Sequence, residues 1–286
     1  MLQTADTTVK WGLARRLAFI DFRLCWERRI NRSDLIEFFG ISPQQASADL
    51  QEYLDRAKGE VGYDKSAKTY VATSSFAPKF VSADPRSYLD QLAAQHLGIL
   101  GRRSAFIGTL PEFDTVEVPQ RHVETSVLVG LLEALRNRQE LEIQYQSMNS
   151  PDASWQTISP HAFASDGLRW HVRAFSHKHQ EFRDFVMARI VALRNERQTE
   201  INPANDSEWN RNVTIKFGPH PELSDAQRKA IEREYEMKKG EKAIKVRAAL
   251  AFYYLQRLQL DEESEKKTPK ARQIVLLNPK ELEGYR

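Results

Sequence analysis

"GLRWHVRAF", residues 167–175, alternates in the way an extended chain requires. Trp170, Val172 and Ala174 fall on one face of a strand and Arg169, His171 and Arg173 on the other, because successive side chains point to opposite sides. The first face is apolar and reads as core, Trp170 included. The second carries two permanent cations and an imidazole. It is either wet surface or the floor of an anion-binding pocket, since clustered guanidinium groups take phosphate or carboxylate through paired hydrogen bonds.

The neighbouring stretches are extended too. "ELEIQYQ" (140–146), "WQTISPHAF" (155–163) and "FRDFVMARI" (182–190) read as strands, with Leu141, Ile143 and Tyr145 sharing one face. "ETSVLVGLLEALRNRQ" (124–139) ahead of them is a compact amphipathic helix. One helix followed by four or five short strands suggests a small, strongly bent sheet or barrel. The polar "SHKHQE" (176–181) reads as a hairpin turn rather than a metal site, although His177 and His179 would share a face if it were extended. No metal and no cofactor are expected.

Upstream, the pattern is helical. In "WGLARRLAFIDFRLCWERRI" (11–30), Leu13, Leu17, Ile20 and Leu24 form one buried stripe. "NRSDLIEFFG" (31–40) is a second helix, stopped by Gly40. In "ISPQQASADLQEYLDRAKG" (41–59) Ser42 caps a third, Pro43 fits its first turn, and Ala46, Leu50, Tyr53, Leu54 and Ala57 point inward. "VGYDKSAKTYVAT" (61–73) is a hairpin. Two helices joined by a glycine-containing turn, then a hairpin, describe a winged helix-turn-helix, whose second helix enters the DNA major groove. Ser42, Gln44, Gln45 and Ser47 occupy the base-reading end of that helix. Glutamine pairs bidentately with adenine, at about 1–3 kcal/mol of discrimination. Arg28, Arg29 and Arg32, with Lys65 and Lys68 on the wing, supply charge for phosphates. Against this, Asp49, Glu52 and Asp55 would repel phosphate if they faced it. A further helix starts near Pro85, and "RRSAFIGTLPEFDTVEVPQRH" (102–122) has no helical stripe.

At the C-terminal end, "NVTIKFG" (212–218) is a strand, "LSDAQRKAIEREYEM" (223–237) a helix with a Ser224–Gln227 capping box, "KVRAALAFYYLQRLQL" (245–260) a second helix and "ARQIVLLNP" (271–279) a closing strand. Such a unit buries little alone and is expected to pack on a partner. The 286 residues carry a net charge of +3, so bulk charge does not announce a nucleic-acid binder. The single Cys25 forms no internal disulfide. No apolar run approaches the ~20 residues of a membrane helix, and the N-terminus lacks a signal-peptide pattern; a cytoplasmic protein is expected. No P-loop, GxSxG or HExxH motif is present, so an enzyme is not expected.

A strand opening on Trp170-His171-Val172, after "ISPHAF" and before "FVMARI", with Tyr145 and Ser147 ahead, resembles the WYL domain. Only the tryptophan of the eponymous triplet matches. The whole chain resembles the BrxR/CapW repressors that guard phage-defence islands such as BREX and CBASS. The resemblance implies an α+β multidomain chain: a winged helix-turn-helix with a trailing helix (1–100), a linker (101–121), a small Sm-like β-barrel (122–200) and a small α/β dimerisation domain (201–286). It implies a homodimer on a palindromic operator in double-stranded DNA, and a barrel that senses an anionic ligand, a nucleotide or oligonucleotide. Mapped onto matching positions, the ligand site is Tyr145, Ser147, His161, Arg169, His171, Arg173 and Arg189. Two readings compete: a single-stranded nucleic-acid adaptor, and a nucleotide-processing enzyme.

Overall fold

Leucine and isoleucine at helical spacing become a buried stripe in α1 (Trp11–Trp26), where Leu17, Ile20 and Leu24 face inward. The structure, a computed structural model, describes residues 11–101, 104–116, 119 and 121–285. The first ten residues, and five positions of the expected 101–121 linker, lie outside the described residues. The chain divides into two compact units, Met1–Glu117 and Val118–Arg286.

In the first unit the helix expected to run through Ile30 stops at Trp26. Arg28 takes φ +62, a left-handed conformation that a helix cannot continue. Its guanidinium donates to the Ala72 and Thr73 carbonyls at 3.3 and 2.7 Å. The next two residues form β1 (Arg29–Ile30), which pairs with β3 (Thr69–Ala72), itself paired with β2 (Val61–Asp64). Between them, α2 (Arg32–Phe39) ends at Gly40 with φ +65, a conformation that costs glycine nothing. α3 (Pro43–Arg56) starts from Ser42, whose Oγ accepts the Gln45 N–H at 3.1 Å. Ala46, Leu50, Tyr53 and Ala57 bury against α1 and α2. α4 (Pro85–His96) follows, capped by Asp84. Beyond it Ala105 and Ile107 are buried, and Phe106 and Phe113 pack with Phe22, Leu92 and Tyr88. The apolar side chains in that part of the 101–121 segment hold it on the helices.

In the second unit, α5 (Thr125–Asn137) lays Val127, Leu131 and Ala134 on a five-stranded antiparallel sheet. The strands are β4 (Gln139–Tyr145), β5 (Ser154–Ser165), β6 (Trp170–Ser176), β7 (Glu181–Val186) and β8 (Ile190–Gln198), in the order β7-β6-β5-β4-β8. Their inward face is Leu141, Ile143, Ile158, Val172, Ala174 and Phe185. The expected barrel is not closed: β7 and β8 are the two edges and share no ladder. The stretch 182–190, expected as one strand, breaks at a 3-10 turn, Met187–Arg189, which carries the chain from one edge to the other while Met187 fills the core. Trp170 is a second correction. It is 58% exposed rather than core, because it opens β6 opposite Ser165, at the sheet's rim.

The remainder contains α6 (Ser207–Asn210), β9 (Asn212–Pro219), α7 (Asp225–Glu234), β10 (Lys242–Arg247), α8 (Ala251–Arg257) and β11 (Ile274–Leu276), with sheet order β10-β9-β11. Both bonds of the Ser224–Gln227 capping box are present. The helix expected over 245–260 is strand at its start. Ile244 and Val246 pack into this core two residues apart, a strand period; the four-residue period begins only with Ala251 and Leu255.

Candidate functional site

The end of α3 expected to read bases is open. Ser42, Gln44, Gln45 and Ser47 are all exposed, as are Arg29, Arg32, Lys65 and Lys68 around them. The structure distinguishes their roles. Gln44 has no side-chain partner among the described residues, whereas the Gln45 amide donates to Asp49 at 3.0 Å. Ser47 donates to the Pro43 carbonyl and accepts from Arg32 at 3.3 Å. Arg28 is exposed but committed to the wing backbone. One of the acids that counted against DNA is sequestered: Asp49 is buried and takes Arg16 of α1 through two bonds, 2.6 and 3.1 Å. Asp55 bonds Gln51, and Glu52 pairs with Arg56 along the same helix.

A second buried acid sets the angle of α3. Asp21, on α1, accepts the Tyr53 hydroxyl with one oxygen. With the other it accepts the backbone N–H groups of Lys79, Phe80 and Val81 at 2.7–2.9 Å. Burial first, and the Asp21 hydrogen bond second, push the Tyr53 phenol well above its ordinary range. Four donors on one carboxylate lock α1, α3 and the chain after the wing together.

The face of β6 opposite the core is not free surface. His171 and Arg173 are 2% and 4% exposed. Arg173 is clasped by Asp206 through two bonds at 2.8 and 2.9 Å, by Glu208 at 3.1 Å and by Asp184 at 3.4 Å. Burial would lower its pKa, and the Asp206 hydrogen bonds override that and raise it. Burial likewise works to raise the Asp206 pKa, and the Arg173 bonds hold it below the ordinary carboxylate value. Asp206 caps α6 by accepting the Trp209 N–H at 3.0 Å, and also meets His161 Nε2 at 2.9 Å. His161 stands where β5 carries a bulge, between Pro160 and Ala162, which turns it toward Arg173's partner. Burial, ahead of the Asp206 bond that opposes it, lowers the His161 pKa, so the neutral ring donates from Nε2. Arg173 and His161, expected as open ligand contacts, are thus clasp residues.

Arg169 and Arg189 are different. Both are half-buried, and neither has a carboxylate within ion-pair distance among the described residues. Asp184 is committed to Arg173 and Tyr253, and Glu181 to Arg183. The Arg169 Nε and the His171 Nδ1 are buried without a partner. Burial lowers the His171 pKa most; Asp184 and Asp166 oppose it, while Arg169 and Arg189 add to it, so both cations lie within electrostatic reach of the ring. Tyr253 of α8 covers that ring at 5.1 Å and donates to Asp184 at 3.0 Å. Arg257, one turn on, reaches over Gly167 to the Asp166 carbonyl at 2.8 Å; a β-carbon there would lie 1.6 Å from its guanidinium. Tyr145 is a wall rather than a contact: it packs edge-on against Phe185 and accepts the Val186 N–H at 3.3 Å. Ser147 closes its own turn by accepting from Asn149.

Ser159, His177 and Glu140 also meet, in a combination of residue types that suits acyl transfer. However, the same imidazole nitrogen, Nε2, faces Ser159 at 2.8 Å and Glu140 at 3.0 Å. Among the described residues no acid orients Nδ1, so this is not the relay a nucleophilic serine requires.

With this geometry in place, the comparisons are decisive. Residues 12–94 match the BrxR transcriptional regulator winged helix-turn-helix domain, 126–195 the WYL domain, and 212–282 the BrxR transcriptional regulator C-terminal dimerization domain. The chain is 38% identical over 286 residues to the DNA-binding transcriptional repressor CapW of Stenotrophomonas maltophilia, covering 100% of this chain and 96% of that protein. It is 39% identical to CapW of Escherichia coli (strain KTE188) and 38% to that of Pseudomonas aeruginosa, in each case over 96% of this chain and 91% of the other. The chain belongs to the BrxR/CapW family of transcriptional repressors. Its matched domains are those of a regulator, not an enzyme. Among solved structures, the proteasome accessory factor B/C of Arthrobacter aurescens matches 95% of this chain and 46% of that one, at 12% identity and a TM-score of 0.27. No helix among the described residues is long and apolar enough to cross a membrane. In this BrxR/CapW chain the missed residues are Asp206, Glu208 and Tyr253. Only "NDSEWN", a cap signal, hinted at the first.

Proposed function

We propose that this chain is a homodimeric repressor that reads a palindromic operator with α3 and controls a phage-defence operon. An anionic ligand, a nucleotide or oligonucleotide, bound at Arg169, Arg189 and His171 changes its grip on DNA. The observation that carries this is the contrast between cations: Arg173 is neutralised internally, whereas Arg169 and Arg189 lie within electrostatic reach of His171 with no ion-pair partner among the described residues. Two such guanidinium groups together are unfavourable until an anion joins them, so a ligand that binds there has free energy available to shift a conformational equilibrium. The DNA half rests on the exposed Gln44 at the start of a capped helix, ringed by Arg29, Arg32, Lys65 and Lys68. Dimerisation rests on the family of residues 212–282.

The test is a gel shift of the full chain on the DNA upstream of its own gene, with and without a short oligonucleotide. Wild type is expected to bind specifically and to respond. The double variant Arg169→Ala/Arg189→Ala is expected to bind equally well and not respond. A variant that still responds would remove the sensing site from this face.

A further inference from the structure

A cavity of about 420 Å³ opens on the second unit away from Arg169 and Arg189. Its walls are Leu135 from α5, Phe182 from β7 and Ile201 from the segment after β8, and its lining includes His161 of the clasp. Two exposed ionic side chains also line it: Arg138, which closes α5, and Glu200. They are neighbours, since the Thr199 N–H donates to the Arg138 carbonyl at 3.2 Å. Neither has an ion-pair partner among the described residues, although they carry opposite charges. Of the hydroxyls in the lining, Ser159 meets Thr199 at 2.7 Å and His177 at 2.8 Å, and Thr199 also accepts the Ile201 N–H. With Nε2 given to Asp206, the neutral His161 ring keeps one acceptor, Nδ1.

We propose that this cavity is a second small-molecule site, and that its ligand is a zwitterion with an apolar side chain, such as a free aromatic or aliphatic amino acid. The volume lies at the small end of ligand pockets, and Leu135, Phe182 and Ile201 give the cavity an apolar wall beside its polar groups. One free cation and one free anion at the mouth select a ligand carrying both charges. A mononucleotide would bring its phosphate to Glu200 as well as to Arg138. Occupancy would touch His161 and the 199–203 segment, which leads into Asp206, so the site adjoins the clasp.

The experiment is calorimetric titration of the full chain with L-phenylalanine, 3-phenylpropionate (no ammonium) and phenethylamine (no carboxylate). L-Phenylalanine is expected to bind and each truncated probe to bind more weakly. Because the charges are exposed, each loss is about two- to fivefold. Arg138→Asn, which suits the left-handed position at φ 52, weakens phenylalanine and phenylpropionate and leaves phenethylamine unchanged. Glu200→Gln gives the reverse pattern. Absence of phenylalanine binding up to its solubility limit overturns the proposal, as does equal weakening of all three probes by either variant, or adenosine binding in place of phenylalanine. Arg169→Ala/Arg189→Ala leaves phenylalanine binding intact, which separates this site from the sensing face.

Discussion

Arg173 and Arg189 are the same residue type in different surroundings, and their substitutions should read differently. Arg173→Ala leaves Asp206 and Asp184 buried without their cation, at a cost of about 3–5 kcal/mol. Arg189→Ala removes an unpaired cation and should change stability by less than about 1 kcal/mol. Urea midpoints compare them; equal midpoints would mean that the clasp contributes no structure. The two buried histidines make a pH prediction with a definite sign. Burial lowers both the His161 and His171 pKa values below the ordinary 6.5, so the unfolded chain binds protons that the folded chain refuses. Their contribution is therefore fully present above pH 6.5 and lost as pH falls toward the depressed folded values. The unfolding midpoint should drop across that window, and His171→Gln should flatten part of the drop. A profile independent of pH between 7 and 5 would contradict both burials.

At the scale of the element, α3, the proposed reading helix, is held by two buried acids, Asp21 and Asp49. Gln44 is free and Gln45 is tied to Asp49, so Gln44→Ala should cost more operator discrimination than Gln45→Ala. The loss is about 1–3 kcal/mol, or roughly five- to 150-fold in specific over non-specific binding. Competition gel shifts measure it, and the reverse ranking would move the base contact to Gln45. Replacing Arg29, Arg32, Lys65 or Lys68 by Ala should lower the salt slope by about one each and weaken all sequences alike. The helix was legible in the sequence because its signals are local: a serine cap, a proline in the first turn, and apolar residues at positions 46, 50, 53 and 57. β1 was not, because its pairing partner lies some forty residues on and the break depends on one left-handed residue, Arg28. Nor was the Asp21–Tyr53 bond, between residues 32 positions apart. Period alone also misassigned Trp170: alternation gives the face but not where along the strand the core ends.

Across the second unit, two separate cores, one under α5 and one around β9, are joined by polar contacts. Asp206 and Glu208 reach Arg173, Tyr253 reaches Asp184, and Arg257 reaches the Asp166 carbonyl. The sequence pattern gave most strands of the two sheets, though not β8 or β10, and it did not give this joint, since a cationic strand face looks the same whether a ligand or the chain's own acids complete it. A small sheet such as β10-β9-β11 buries little by itself, so its stability should depend on the joint. Asp206→Asn keeps the shape of the clasp and removes the charge that balances Arg173. In wild type, amides of β6 and β9 should exchange with the same opening free energy, because the two sheets open together. In the variant, β9 should exchange faster than β6, as the C-terminal sheet gains an opening of its own. Hydrogen exchange of peptides covering 170–176 and 212–219 resolves the two. If β6 and β9 already differ in wild type, or fall together in the variant, the acids at 206 and 208 neutralise Arg173 without coupling the sheets. A signal from the proposed ligand at Arg169 and Arg189 would then have to leave the WYL domain by another route.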